Sequence, residues 1–133
     1  MKINIPFQKT EHSNEVIKFL VGGCIAVITD FCVYYSLVIF NLATVDSKLI
    51  AFYSGALVGF IINRNWTFKS NRSVIIQLVK YGILYSMSAF LNATVNEFIL
   101  KISSSIWLGF IFATIISTVI NYLGQKYFVF KND

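Results

Sequence analysis

The sequence is short of charge. Only 13% of its 133 residues are Asp, Glu, Lys or Arg, against roughly 25% in ordinary soluble domains. A conventional water-facing surface is excluded, and lipid is the implied solvent. Histidine occurs once, as His12 in a polar N-terminal stretch, which is too little for a nucleophile–base–acid triad. The two cysteines, Cys24 and Cys32, share one apolar run. Eight positions along a helix are about 12 Å, too far for a disulfide, and the pair has no metal-ligand spacing. Both read as small packing residues. Glycine-rich phosphate loops are missing too. The expectation is a protein that is not an enzyme and holds no cofactor or metal. The formal charge is +5, but the cations lie between apolar runs rather than in one patch. That pattern suits anionic lipid head groups and not nucleic acid.

What the chain has in quantity is apolar and aromatic residues, 56% and 17%. They gather into four runs, which predict an all-α integral membrane protein with helices at about 19–40, 48–66, 80–100 and 106–126. Residues 1–15 read as a polar tail and 16–133 as the membrane domain. The first run, as a helix, spans about 33 Å, enough for a bilayer core. It exceeds the roughly 7–15 residues of a signal-peptide core, so the tail is expected to be retained.

The runs repeat. Asn63-Arg64-Asn65-Trp66-Thr67-Phe68-Lys69 closes the second run, and 62 positions later Gln125-Lys126-Tyr127-Phe128-Val129-Phe130-Lys131 closes the fourth. The same offset pairs Lys18 with Lys80, Asp30 with Asn92, Ala51 with Ala113 and Gly55 with Ser117. Small residues recur every four positions, as Ser47, Ala51, Gly55, Gly59, Asn63 and as Gly109, Ala113, Ser117, Asn121, Gln125. Such stripes let helices approach closely, Gly55-x-x-x-Gly59 above all. Gly22 and Gly23 add small residues to the first helix. The reading is two helical hairpins in parallel repeat, related by a pseudo-two-fold axis along the membrane normal.

Charge sets the expected orientation. Lys2, Lys9, Lys18, Arg64, Lys69, Arg72, Lys80, Lys126 and Lys131 fall on one side, and only Lys48 and Lys101 on the other. Nine cations against two place both termini in the cytoplasm.

Four groups of residues could carry chemistry. Asp30 lies near the middle of the first run, where a carboxylate costs roughly 2.5–3.5 kcal/mol. It reads either as part of a polar translocation path or as a hydrogen-bonded group holding helices together. Ser88, Asn92 and Asn96 share one helix face. Arg64 and Lys126, at the ends of two runs, suit a phosphate or simple snorkelling to head groups. Trp66, Phe68, Tyr127, Phe128 and Phe130 read as interface anchors. Their i, i+2 spacing does not follow one helical face and predicts that the helix breaks or lies down there.

With Phe19-Leu20-Val21-Gly22-Gly23 opening helix 1, Asp30 within it, Asn63-Arg64-Asn65-Trp66-Thr67-Phe68 closing helix 2 and Lys126-Tyr127-Phe128-Val129-Phe130-Lys131 at the end, the chain resembles the GtrA-like family from about Val16 to Lys131. The resemblance implies a multi-pass protein of the bacterial cytoplasmic membrane, serving glycosylation of cell-surface polysaccharide or teichoic acid. Its implied partner is a polyprenyl-phosphate-linked sugar, typically on undecaprenyl phosphate, flipped to the outer leaflet for a glycosyltransferase there. The lipid phosphate would then dock at Arg64 and Lys126. The sugar would enter a groove of Asp30, Asn92, Asn96 and Asn121, flanked by Asn63, Gln125 and the rings of Trp66, Phe68, Phe128 and Phe130. Four helices make a thin wall for a sugar path, so a homo-oligomer surrounded by membrane lipid is expected. Two other readings stay open: a scaffold or accessory subunit for a glycosyltransferase, and a small multidrug-type proton-coupled exporter.

Overall fold

The computed structural model describes residues 7–131. Lys2 and the first six residues of the expected tail lie outside them, as do the side chains of Lys9 and Lys48. Among the described residues every regular element is helical: α1 (Phe7–Ile39), α2 (Thr44–Ile62), α3 (Val74–Ser103) and α4 (Ile106–Gly124). Both α2 and α4 run directly into a five-residue π-turn, Asn63–Thr67 and Gln125–Val129. The chain divides into two compact units, Met1–Lys69 and Ser70–Asp133. Each unit is a helical hairpin. The offset of 62 read from the sequence recurs in the bounds of α2 and α4 and of the two π-turns.

Two element limits differ from expectation. Residues 7–15 are not a separate tail but the first turns of α1. Neither glycine nor proline interrupts Phe7–Val21, so a helix anchored by its apolar part gains a hydrogen bond for each residue added. The loop between the helices expected at about 48–66 and 80–100 is likewise shortened, because α3 starts at Val74.

Turns close both hairpins through left-handed residues. Asn41 has φ 63°. Its N–H donates to Val38 O at 3.0 Å, and the Leu42 N–H donates to Leu37 O at 3.1 Å, the paired bonds of a Schellman stop. In the second hairpin Ser104 has φ 55°. Ser105 then caps α4 by accepting from Leu108 N at 3.3 Å, which satisfies one of the orphan donors of the first turn.

Three helical stretches, 11–39, 74–103 and 106–129, are long and apolar enough to cross a bilayer. The burial pattern agrees with lipid surroundings. In the first hairpin the buried residues of α2 and its π-turn are mostly a strip of small or polar side chains: Ser47, Ala51, Gly55, Gly59, Asn63 and Thr67. In the second hairpin the strip is Gly109, Ala113, Ser117, Gln125 and Val129. Large side chains such as Phe52, Leu57, Phe112 and Ile115 point outward. Small residues at the seam permit close van der Waals packing where hydrocarbon outside removes the hydrophobic drive. Cys24 and Cys32, expected as packing residues, are free and exposed on α1.

Contact at the seams is close. A Cβ on Gly55 would stand 2.7 Å from Ala26 O and 3.0 Å from Asp30 Cβ. One on Gly22 would stand 3.0 Å from Ile62 Cγ2. Moving both by 62 positions gives Leu84 and Gly124, and here the leucine fills the space in front of the glycine. The two hairpins have thus exchanged the large and small partners of one contact. Gly23, grouped with the packing glycines, has nothing within 4 Å of its Cβ direction.

Candidate functional site

Polar groups punctuate both seams at corresponding levels. Asp30 is half-buried and packs by its Cβ against the Gly55 backbone. At the matching level of the second hairpin, Asn92 Nδ2 donates to Ser117 Oγ at 3.0 Å. The Ser117 hydroxyl in turn donates to Thr114 O at 3.2 Å. One helical turn further along α3, Asn96 lies against Gly109, whose Cβ would meet Asn96 Oδ1 at 2.8 Å. Asn121 sits one turn before Gln125, and its Oδ1 is buried without a hydrogen-bond partner. Interhelical hydrogen bonds in bilayers contribute about 0.6 kcal/mol on average and up to about 1.7. Asn92→Leu should therefore destabilise the second hairpin by about that amount in a reversible detergent unfolding titration. Pairing it with Ser117→Ala should show the two changes to be non-additive; strict additivity would mean that the bond contributes nothing.

A closing motif ends the seam of each hairpin. Regular α-helix ends at the aromatic motifs, where the spacing predicts a break. Each helix first widens into a π-turn holding Trp66 or Phe128 and then stops, with Phe68 N donating to Asn63 O and Phe130 N donating to Gln125 O, both at 2.8 Å. A bond reaching five residues back uses one residue more per turn, which re-aims the aromatic side chains. Asn63 is buried and its Oδ1 accepts from Thr67 Oγ1 at 3.0 Å; Gln125 is buried as well. Lys69, with φ 48°, ends the first motif.

The opening lysine of each hairpin reaches over a ring of its closing motif. Lys18 Nζ stands 5.6 Å from the Trp66 ring centre, and Lys80 Nζ stands 5.2 Å from that of Phe128. Cations at this range are attracted to the ring face. Beneath them Phe19 meets Phe68 and Tyr81 meets Phe130, with ring centres 6.5 Å apart in both cases. Tyr81 also stacks on Tyr85 at 4.3 Å.

The two cations singled out for phosphate are engaged locally. Arg64 Nη1 donates to Asn65 Oδ1 at 3.0 Å. Lys126 Nζ is 3.4 Å from the Tyr122 hydroxyl and lies over the rings of Tyr122 and Tyr127. Within the first hairpin, Asp30 and Asn63 share one seam about 12 Å apart, judged from the eight residues between Asp30 and the Gly22 level. Asn92 and Gln125 have the same relation in the second. The lysine–ring pairs were missed in the sequence, although Lys18 and Lys80 fell on the repeat offset. Gln77, buried and donating to Ser70 Oγ, gave no signal because its counterpart 62 positions earlier is Glu15. A family model described as GtrA/DPMS, transmembrane domain, matches residues 18–130.

Proposed function

The chain belongs to the GtrA/DPMS transmembrane-domain family, membrane proteins with a sugar-related role in glycosylation, and on that premise we propose that it flips a polyprenyl-phosphate-linked sugar across the cytoplasmic membrane. The observation that carries this reading is the line of amides along the α3–α4 seam, Asn92, Asn96 and Asn121, with Asn121 Oδ1 buried and unpartnered. An unmatched polar atom in an apolar surrounding costs free energy. It is best accounted for as a group that pairs with a polar substrate in transit. Sugar hydroxyls meeting these amides on one seam, or Asp30 on the other, would exchange hydrogen bonds rather than lose them, which lowers the barrier to crossing hydrocarbon.

In this reading α2 is a fourth span, both termini are cytoplasmic, and the closing motifs with Arg64 and Lys126 meet the cytoplasmic head groups. The chain makes and breaks no bonds. It hands the lipid-linked sugar to a glycosyltransferase on the outer face and works as a homo-oligomer. The test is a leaflet assay in proteoliposomes loaded with polyprenyl-phosphate hexose, reading the fraction reached by a membrane-impermeant reagent. Wild-type protein should expose the sugar well above empty vesicles, and Asp30→Asn should slow exposure by about tenfold, the worth of one charge-assisted hydrogen bond. Exposure no faster than in empty vesicles would remove the transport reading and favour a scaffold for a glycosyltransferase. Unaltered exposure with Arg64→Gln would remove Arg64 from the path.

A further inference from the structure

A cavity of about 590 Å³ opens at the start of α3, and its lining includes Arg72, Ser73, Gln77, Lys80, Phe128 and Lys131. Three of these are cations, and the described residues of the lining include no carboxylate. Ser73 is the N-cap residue of α3 and its side chain makes no capping bond. The first-turn N–H groups of a 30-residue helix therefore face this end, where backbone donors and helix dipole favour an anion. Arginine adds a planar fork and lysine a point charge, the pairing suited to phosphate. A second cleft, of about 560 Å³, is lined by Leu84, Ser86, Met87, Phe90, Leu91 and Ile120 and is almost wholly apolar. Lys80, Leu84, Met87 and Leu91 follow i, i+4, i+7, i+11 and so lie on one face of α3. The run from Lys80 to Leu91 is about 16 Å long.

The corresponding positions of the first hairpin carry different chemistry. Counted back 62 positions, Arg72 becomes Thr10, Ser73 becomes Glu11 and Gln77 becomes Glu15. Carboxylates stand where the second hairpin has neutral donors, and α1 has already begun at Phe7, so no helix start faces that level. Resting on the lipid-linked substrate proposed above, we infer that the second hairpin alone carries the docking site of a phosphate-headed lipid. Its phosphate is held by Arg72, Lys80 and Lys131 at the α3 N-terminus, and its chain lies along the Lys80–Leu91 face. The repeat is thereby functionally unequal: one hairpin holds the head group and the other does not.

The test uses the full chain in phosphatidylcholine nanodiscs with farnesyl phosphate as the probe, read by equilibrium binding. Farnesyl phosphate should bind the wild type at least about tenfold more tightly than inorganic phosphate or farnesol does, because each of those lacks one half of the ligand. Arg72→Gln/Lys131→Gln should weaken binding by about tenfold or more. Lys18→Gln/Lys69→Gln, which neutralises the first-hairpin counterparts of Lys80 and Lys131, should leave it within about twofold. Lys131→Gln alone and the conservative Arg72→Lys serve if the double variant does not fold by circular dichroism; the first should weaken binding and the second retain it. Equal weakening by both double variants would overturn the site as mere surface charge, and inorganic phosphate binding as tightly as farnesyl phosphate would overturn the lipid. The leaflet assay separates this inference from its premise. Unaltered sugar exposure together with unaltered binding in Arg72→Gln/Lys131→Gln overturns the docking site and leaves transport standing. Farnesyl phosphate binding without any leaflet exposure by the wild type overturns transport and leaves the site.

Discussion

Gly55→Leu is expected to cost about 3 kcal/mol or more, the upper end of over-packing. The reason is what the new side chain would strike. Its Cβ would stand 2.7 Å from Ala26 O, a backbone atom of α1 that no rotamer change can move. The helices would have to part along the seam, and Asp30, whose Cβ lies 3.0 Å from the same point, would be displaced with them. Gly23→Leu is the control. It changes glycine to leucine in the same hairpin but meets nothing within 4 Å, so it should remain within about 0.5 kcal/mol of wild type, as surface changes do. Unfolding in mixed micelles of increasing sodium dodecyl sulfate content gives both values. Equal midpoints for the two variants would show that the seam is looser than described.

The second large effect concerns the exchanged contact. Gly124→Ile should be costly alone, about 2–3 kcal/mol, because Leu84 occupies the space the new side chain needs. Leu84→Gly should also cost about 2–5 kcal/mol, through loss of a buried leucine. Together they reproduce in the second hairpin the arrangement of the first, where Gly22 faces Ile62. The double variant should then fall short of the summed losses by about 1–3 kcal/mol, the usual coupling of residues in contact. Additive losses would mean that the contact is not shared in the way the two hairpins suggest.

Much of this architecture was legible in the sequence because lipid leaves a simple record. The four-residue spacing of Ser47, Ala51, Gly55, Gly59 and Asn63 marks the face that packs, and in the structure those five residues are buried. The offset of 62 placed both α2–α4 and the two π-turns in register. What stayed hidden depends on contacts between positions distant in sequence. Gly22 against Leu84 and Ile62 against Gly124 look like two unrelated mismatches until each is seen to compensate the other across a seam. Lys18 and Lys80 were visible as repeat partners, but nothing in their spacing from Trp66 and Phe128 shows that the helix ends meet. An i, i+2 aromatic pair fits neither an α-helical face nor a strand, so the spacing marks the end of regular helix but not the π-turn that makes the transition. The cationic cavity was hidden for another reason: it gathers residues from the loop, the helix start and the end of the described chain, while the repeat directed attention to what the two hairpins share.

The π-turns also record an order of events. Each contains one residue more than the helix around it needs, at the same position in both hairpins, Asn63–Thr67 and Gln125–Val129. One insertion in an ancestral hairpin, followed by doubling, accounts for both with a single event; insertion after doubling requires two that coincide. If the hairpins arose by doubling, this parsimony makes the bulge the older feature and the contrast of Glu11 and Glu15 with Ser73 and Gln77 the younger. A relative with the same two hairpins but an uninterrupted α-helical ladder at one of these ends would reverse that chronology.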